Sequence, residues 1–195
     1  MKLRFLSLLL LIPYAANASF FDSDCPQPAV SGTGASFETA FTPDAHVSEL
    51  VIKSIDSAKT SIKVAAHRFV SKDVSVALLN AMRANKDVKI ILDKTKNDDG
   101  YSDANLFIRM SHSPHVLKHY DNQYQDYILI DDKDIIIGNI SSLQTVDAEK
   151  KNAASVLVIH NVPDLVKKYS ESWQKLWDDS EEMENKDLVK HTPKE

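Results

Sequence analysis

Among the 195 residues are seven histidines, 28 carboxylates and a single cysteine, and few of them are spaced so that they could share a reaction. The densest stretch is Asn122 to Asp132, NQYQDYILIDD, where a polar turn carrying Tyr124 and Asp126 enters an apolar run that ends on Asp131 and Asp132. Tyr124 could attack phosphorus only if ionised, and with a phenol pKa near 10 it would need a base or cation beside it. Asp126, Asp131, Asp132 and Asp134 could together hold a divalent cation through oxygen ligands, although a charged hairpin turn in solvent is the simpler account. His67 shares a strand face with Lys63, Ala65 and Phe69 and is the best-placed acid or base; the plainer alternative is a half-buried histidine held by a hydrogen bond. His112, His115 and His119 have the look of a metal cluster, but Pro114 interrupts the run and no carboxylate is spaced to join them. His46 and His160 fall in a helix and at a strand end and read as structural or exposed. The sequence contains no Gly-rich phosphate loop, Cys/His metal box or Gly-x-Ser-x-Gly elbow, so it predicts no cofactor and no resident metal.

The elements that must position these groups follow from periodicity. SFETAFTP predicts a strand stopped by Pro43, after which Thr42-Pro43-Asp44 supplies a helix start. The helix that follows places Val47, Leu50, Val51, Ile55 and Ala58 on one face. SIKVAAHRFV alternates as a strand, SKDVSVALLNAMRAN returns to helical spacing, and DVKIILD is a continuous apolar run covered on both faces. Lys94 to Gly100 is a polar loop, Ser102 can cap a helix through Met110, and HVLKHY reads as a strand. DYILIDD and DIIIGN then form a hairpin, SVLVIH is a buried strand, and Pro163 opens a helix with Leu165, Val166, Tyr169, Trp173, Leu176 and Trp177. The fold class is α/β, a mixed β-sheet flanked by helices.

The ends read differently. Lys2 and Arg4 precede an apolar run from Leu6 to Ile12, and Ala16-Asn17-Ala18 offers a cleavage site, which predicts a signal peptide over 1–18, export, and a periplasmic location. The run is short of the ~20 residues a membrane span requires, so no transmembrane segment is expected after cleavage. Without Lys2 and Arg4 the chain has 21 basic residues against 28 acidic ones, a formal charge of −7, which argues against a broad electrostatic nucleic-acid platform. Residues 19–36 read as a flexible arm, 37–178 as the domain and 179–195 as a charged tail. Cys25 has no intrachain partner; it is either a free thiol or a link between two chains.

From Phe37 to Trp177 the chain resembles the phospholipase D superfamily, and in particular its small secreted single-domain bacterial nucleases. The resemblance rests on AFTP, IDSAKTSIKVAA, DVKIILD, YILIDD with IIIGN, EKKNAASVLVI and SWQKLW, in that order. It implies a phospholipase D-like sandwich that contributes one half-site per chain, so that the working unit is a homodimer or a heterodimer with a related chain. It also implies a phosphodiester ligand, nucleic acid or phospholipid, and no metal. The family carries His-x-Lys-x-x-x-x-Asp, in which the histidine attacks phosphorus and the lysine holds the phosphate.

Laid on this sequence with Asp131 as the terminal aspartate, that pattern puts Tyr124 at the histidine and Asp126 at the lysine. Gly138 fits the family glycine; Asn139 and Ser141 stand where serine and asparagine are expected; Asn152 fits a later asparagine, whose partner glutamate is missing. Exchanging lysine for aspartate turns attraction for phosphate into repulsion, about 4 kcal/mol for two unit charges at ~4 Å and an effective dielectric near 20. The expectation is a degenerate motif on an intact frame, a catalytically inactive binding or regulatory homologue. The alternative is an active metal-independent phosphodiesterase that uses Tyr124 or His67 in place of the family histidine.

Overall fold

A run such as YILI or VLVI has apolar side chains on both sides of the pleat, so it is stable only in a sheet covered on both faces. The computed structural model describes residues 34–68, 71–94, 103–143 and 149–184, and it builds one mixed sheet of eight strands. In chain order these are β1 (Ser36–Phe41), β2 (Ser61–Ala66), β3 (Asp87–Leu92), β4 (His115–Leu117), β5 (Tyr127–Ile130), β6 (Asp134–Gly138), β7 (Ser155–His160) and β8 (Ser180–Glu182). The spatial order is β1-β7-β6-β5-β2-β3-β4-β8. β2, β3 and β4 run parallel, and the remaining neighbours are antiparallel.

Helices α1 (Val47–Ser57), α2 (Lys72–Arg83) and α3 (Ala104–Arg109) lie on one face. Their apolar stripes, among them Val51, Ile55, Leu78 and Phe107, meet Ile62, Val64, Ile90, Ile128 and Ile136 of the sheet. On the other face α4 (Pro163–Asp178) packs Val166, Trp173 and Leu176 against Ala65, Ile91, Leu129 and Ile135. All four residues of β5 are buried, as its sequence requires. Trp173 anchors α4: its indole N–H donates to the Val64 carbonyl at 3.0 Å, and its ring stacks on Trp177, which in turn stacks on His115. The aromatic stripe is core.

Three local expectations are corrected. Thr42 does not start α1, because its hydroxyl is tied into the sheet, donating to the Asn152 carbonyl at 2.5 Å and receiving the Ala154 N–H at 2.7 Å. The helix begins at Val47, and a carboxylate from far along the chain serves its first turn: the Ser48 N–H donates to Glu149 at 2.9 Å. HVLKHY is a strand only through Leu117, after which the Lys118 N–H turns to the Asp179 carbonyl. Finally, Ser180–Glu182 form β8 on the edge of β4, so the sheet extends past the boundary drawn at 178. The signal peptide and cleavage site at 1–18, Cys25, Ser102 and the tail beyond 184 lie outside the described residues.

Candidate active site

The site is assembled where β2, β3, β5 and β6 converge at one end of the sheet. β2 and β3 are parallel and their last register pair is Ala66↔Leu92, so the next residues, His67 and Asp93, emerge side by side at the carboxyl ends of the two strands. That is where open α/β sheets build their sites. Asp93 is buried and accepts the Gln123 N–H at 2.5 Å. The Gln123 carbonyl in turn lies 3.0 Å from Nδ1 of His67, and the Asp93 carboxylate lies 3.8 Å from the same nitrogen. With acceptors on that side, Nδ1 carries the proton of the neutral ring and Nε2 keeps its lone pair.

Tyr124 stacks on His67 with ring centroids 5.8 Å apart and is otherwise turned outward, 76% exposed. Asp126 points the other way. Its carboxylate accepts the Ser141 N–H at 2.9 Å, and the Ser141 hydroxyl accepts the His67 N–H at 2.8 Å. Burial pushes the Asp126 carboxyl up to about 7, against the opposing pull of the Ser141 hydrogen bonds. The fixed negative charge expected at this position is therefore a group that titrates near neutrality, and its repulsion of a phosphate is smaller than that of two full charges.

His67, Tyr124, Asp126 and Ser141 are thus brought together. Asp131 is not, since it ends β5 at the far side of the sheet. There it accepts the N–H groups of Lys59, Thr60 and Ser61 at 2.7, 2.7 and 2.9 Å. Burial would raise its carboxyl, but those hydrogen bonds outweigh it and hold the group at about 2. Asp131 and Asp132 both have positive φ, 53° and 49°, and the Lys133 N–H returns to the Ile130 carbonyl, the geometry of a tight hairpin turn that aspartate tolerates.

Gly138 and Asn139 join β6 to β7. A Cβ on Gly138 would lie 2.3 Å from the Ser155 carbonyl oxygen, and its φ of +143° is itself glycine territory. Asn139 uses its side-chain oxygen as a further rung, accepting the Ser155 N–H at 3.0 Å. Asn152 is exposed at the rim and offers its carbonyl to Thr42.

The remaining candidates have other tasks. Asp132 binds Lys63 at 2.8 Å and Ser170 at 3.0 Å, and Asp134 faces His160 at 3.1 Å, so the acidic run does not converge on a cation. His115 lies against Trp177 and Ser180, His119 pairs with Asp179, and His46 is 4.0 Å from Glu149. Asp93 and Gln123 were missed in the sequence. The register of two adjacent parallel strands would have pointed to Asp93, because one residue beyond a shared strand end pairs it with His67.

Residues 51–177 match the model of a phospholipase D-like domain described as that of cardiolipin synthase. The chain is 28% identical over 135 residues to a phospholipase D of Rickettsia conorii, and 27% identical over 145 residues to one of Rickettsia prowazekii. These alignments take in 69% and 71% of this chain and span 66% and 64% of the relatives' own lengths. Among solved structures it is similar to Nuc of Salmonella typhimurium, a phospholipase D family member: TM-score 0.68, 29% identity, 77% of this chain and 99% of that one. NucT from Helicobacter pylori shares the fold at 20% identity, TM-score 0.65, with 76% and 99% covered.

Proposed function

Since the chain belongs to the phospholipase D superfamily, we propose that it is a phosphodiesterase-fold protein that binds rather than cleaves, an exported, catalytically silent binding or regulatory homologue. The observation that carries this reading is the Asp126–Ser141 contact. The position that should hold a phosphate with a lysine holds a half-buried carboxyl, engaged by a backbone N–H and raised in pKa by its surroundings. Tyr124, at the position of the nucleophile, is turned to solvent and stacks on the His67 ring at 5.8 Å between centroids.

The ligand class that fits this family is a phosphodiester. Relatives named phospholipase D favour a lipid, whereas the sequence resemblance to small single-domain nucleases favours nucleic acid. The chain supplies one motif, so the working unit is a homodimer or a heterodimer with a related chain, in the periplasm after cleavage behind Ala18. A heterodimer would let Tyr124 and Asp126 silence one half of a composite site.

The His67 arrangement favours a second reading, an active phosphodiesterase without the family histidine. An imidazole with Nδ1 engaged and, among the described residues, no hydrogen-bond partner at Nε2 has the form of a nucleophile or general base.

The test is hydrolysis of bis-p-nitrophenyl phosphate and plasmid DNA in EDTA by the purified chain, His67→Ala, and the double variant Tyr124→His/Asp126→Lys. The proposal expects an inert wild type. Turnover by wild type that disappears in His67→Ala would establish the second reading instead.

A further inference from the structure

The two edges of the sheet are unlike. β8 is three residues long and carries Glu181 and Glu182, features that discourage pairing with another strand. β1 is six residues long, SFETAF, with no lysine or proline inside it and with Phe37 and Phe41 61% and 58% exposed. Among the described residues, its only strand partner is β7. The direction of its free hydrogen-bonding groups follows from one bond. The Thr42 N–H donates to the Ala154 carbonyl on the β7 side, so the alternation of the pleat turns residues 36, 38 and 40 toward β7 and residues 37, 39 and 41 outward.

We propose that β1 is a self-pairing edge: a second copy of this chain adds its own β1 antiparallel to the first, with Thr39 opposite Thr39 on a two-fold axis. The sequence is complementary to itself in that register. Phe37 lies opposite the second copy's Phe41, aromatic against aromatic on the same face. Glu38 lies opposite Ala40, which keeps the two Glu38 carboxylates apart. A shift of two residues would set them against each other.

The outward backbone groups fit as well. Phe41 already gives its carbonyl to the Ala45 N–H. The pairing therefore consists of two bonds exchanged between the threonines and two from Phe41 N–H to the opposite Phe37 carbonyl. On the α1 side the strand borders an open hollow of about 460 Å³, where the resident Glu38 already pairs with Lys53 at 2.7 Å.

This interface is not the one that would unite two half-sites. β5 lies three strands inward from β1, so seven spacings of about 4.8 Å put the two copies of that strand roughly 34 Å apart. The inference therefore goes beyond the proposed function, and each can fail without the other.

The test is the mass of the purified chain by sedimentation velocity at tens of micromolar. The β1 contact is read as a difference in mass, because any pairing of half-sites adds to it. Wild type is expected at no less than twice the mass of Thr39→Pro, which removes an outward N–H that an edge strand can lose together with the Thr39 hydroxyl bond to the Val156 carbonyl; circular dichroism checks that this variant stays folded. Phe37→Lys/Phe41→Lys sets like charges opposite each other and should match Thr39→Pro. Phe37→Lys/Phe41→Glu sets each new lysine opposite a new glutamate and should regain the wild-type mass at low salt, which guards against misreading a folding defect. A monomeric wild type, or a wild type equal in mass to Thr39→Pro and to the two-lysine variant, would overturn the proposal.

Discussion

The carboxylate of Asp126 is joined to the backbone N–H of Ser141 at 2.9 Å, across fifteen residues of chain. Through the serine hydroxyl the same contact reaches the His67 N–H at the end of β2. Asp126 thereby acts as a structural tie between β5, the turn after β6, and β2. Its titration is coupled to folding.

The folded chain keeps the Asp126 proton up to about pH 7, whereas an unfolded aspartate releases it near 3.8. The stabilisation linked to this proton is complete below about pH 4 and is lost as pH rises to about 7. Asp126→Asn keeps an acceptor for Ser141 without the titration. Relative to this variant, wild type should lose on the order of 1–4 kcal/mol of unfolding free energy between pH 4.5 and 8. Urea unfolding at the two pH values checks it, and parallel behaviour of the two proteins would refute the coupling.

Asp131 has the opposite sign. Its carboxyl sits at about 2 in the fold, so its stabilisation is present above pH 4 and is lost as pH falls toward 2. Asp131→Ala leaves three N–H groups at the entry to β2 without their acceptor. We expect a loss of about 1–3 kcal/mol at pH 7, shrinking toward zero in acid; a loss that persists at pH 2 would mean the hydrogen bonds are not its source.

Gly138 has no room for a side chain, because Val156 Cα as well as the Ser155 oxygen would meet a Cβ, at 2.9 Å and 2.3 Å. Gly138→Ala should therefore cost about 2–4 kcal/mol through strain and clash together. Thermal unfolding measures it, and a melting temperature within a degree of wild type would show that β6 and β7 can separate locally at no cost.

For His67 the geometry predicts a tautomer. The neutral ring should bear its proton on Nδ1, facing the Gln123 carbonyl, and long-range proton–nitrogen correlation spectra distinguish this from an Nε2-protonated ring. An Nε2 proton would remove the free lone pair on which the second functional reading depends.

The sequence made the layers legible because they depend on local period: a strand such as DVKIILD or a helix such as that of Trp173 and Trp177 declares its faces by spacing. It was poorer wherever a side chain answers a distant backbone. Thr42 looked like a helix cap because nothing nearby in the chain shows Asn152 and Ala154 beside it. β8 was hidden in an acidic tail because its apolar content is negligible and only the open edge of β4 gives it a partner. At the site, Tyr124, Asp126 and Ser141 were found by alignment to a motif, and the structure brings them together with His67. Asp131, Gly138 and Asn139 were found by the same alignment but hold turns and ladders, roles that residue type alone does not separate from chemistry.

The position of β1 also bears on how the chain is made. Among the described residues it is the first strand, and its ladder partner β7 follows more than a hundred residues later, Thr39 and Val156 being 117 positions apart. The parallel unit β2-α2-β3 can close as soon as it emerges. Until β7 reaches it, whether on the ribosome or after export, the N–H and C=O groups of Ser36, Glu38 and Ala40 that later face β7 are unpaired, so this is the ladder with the longest loop to close.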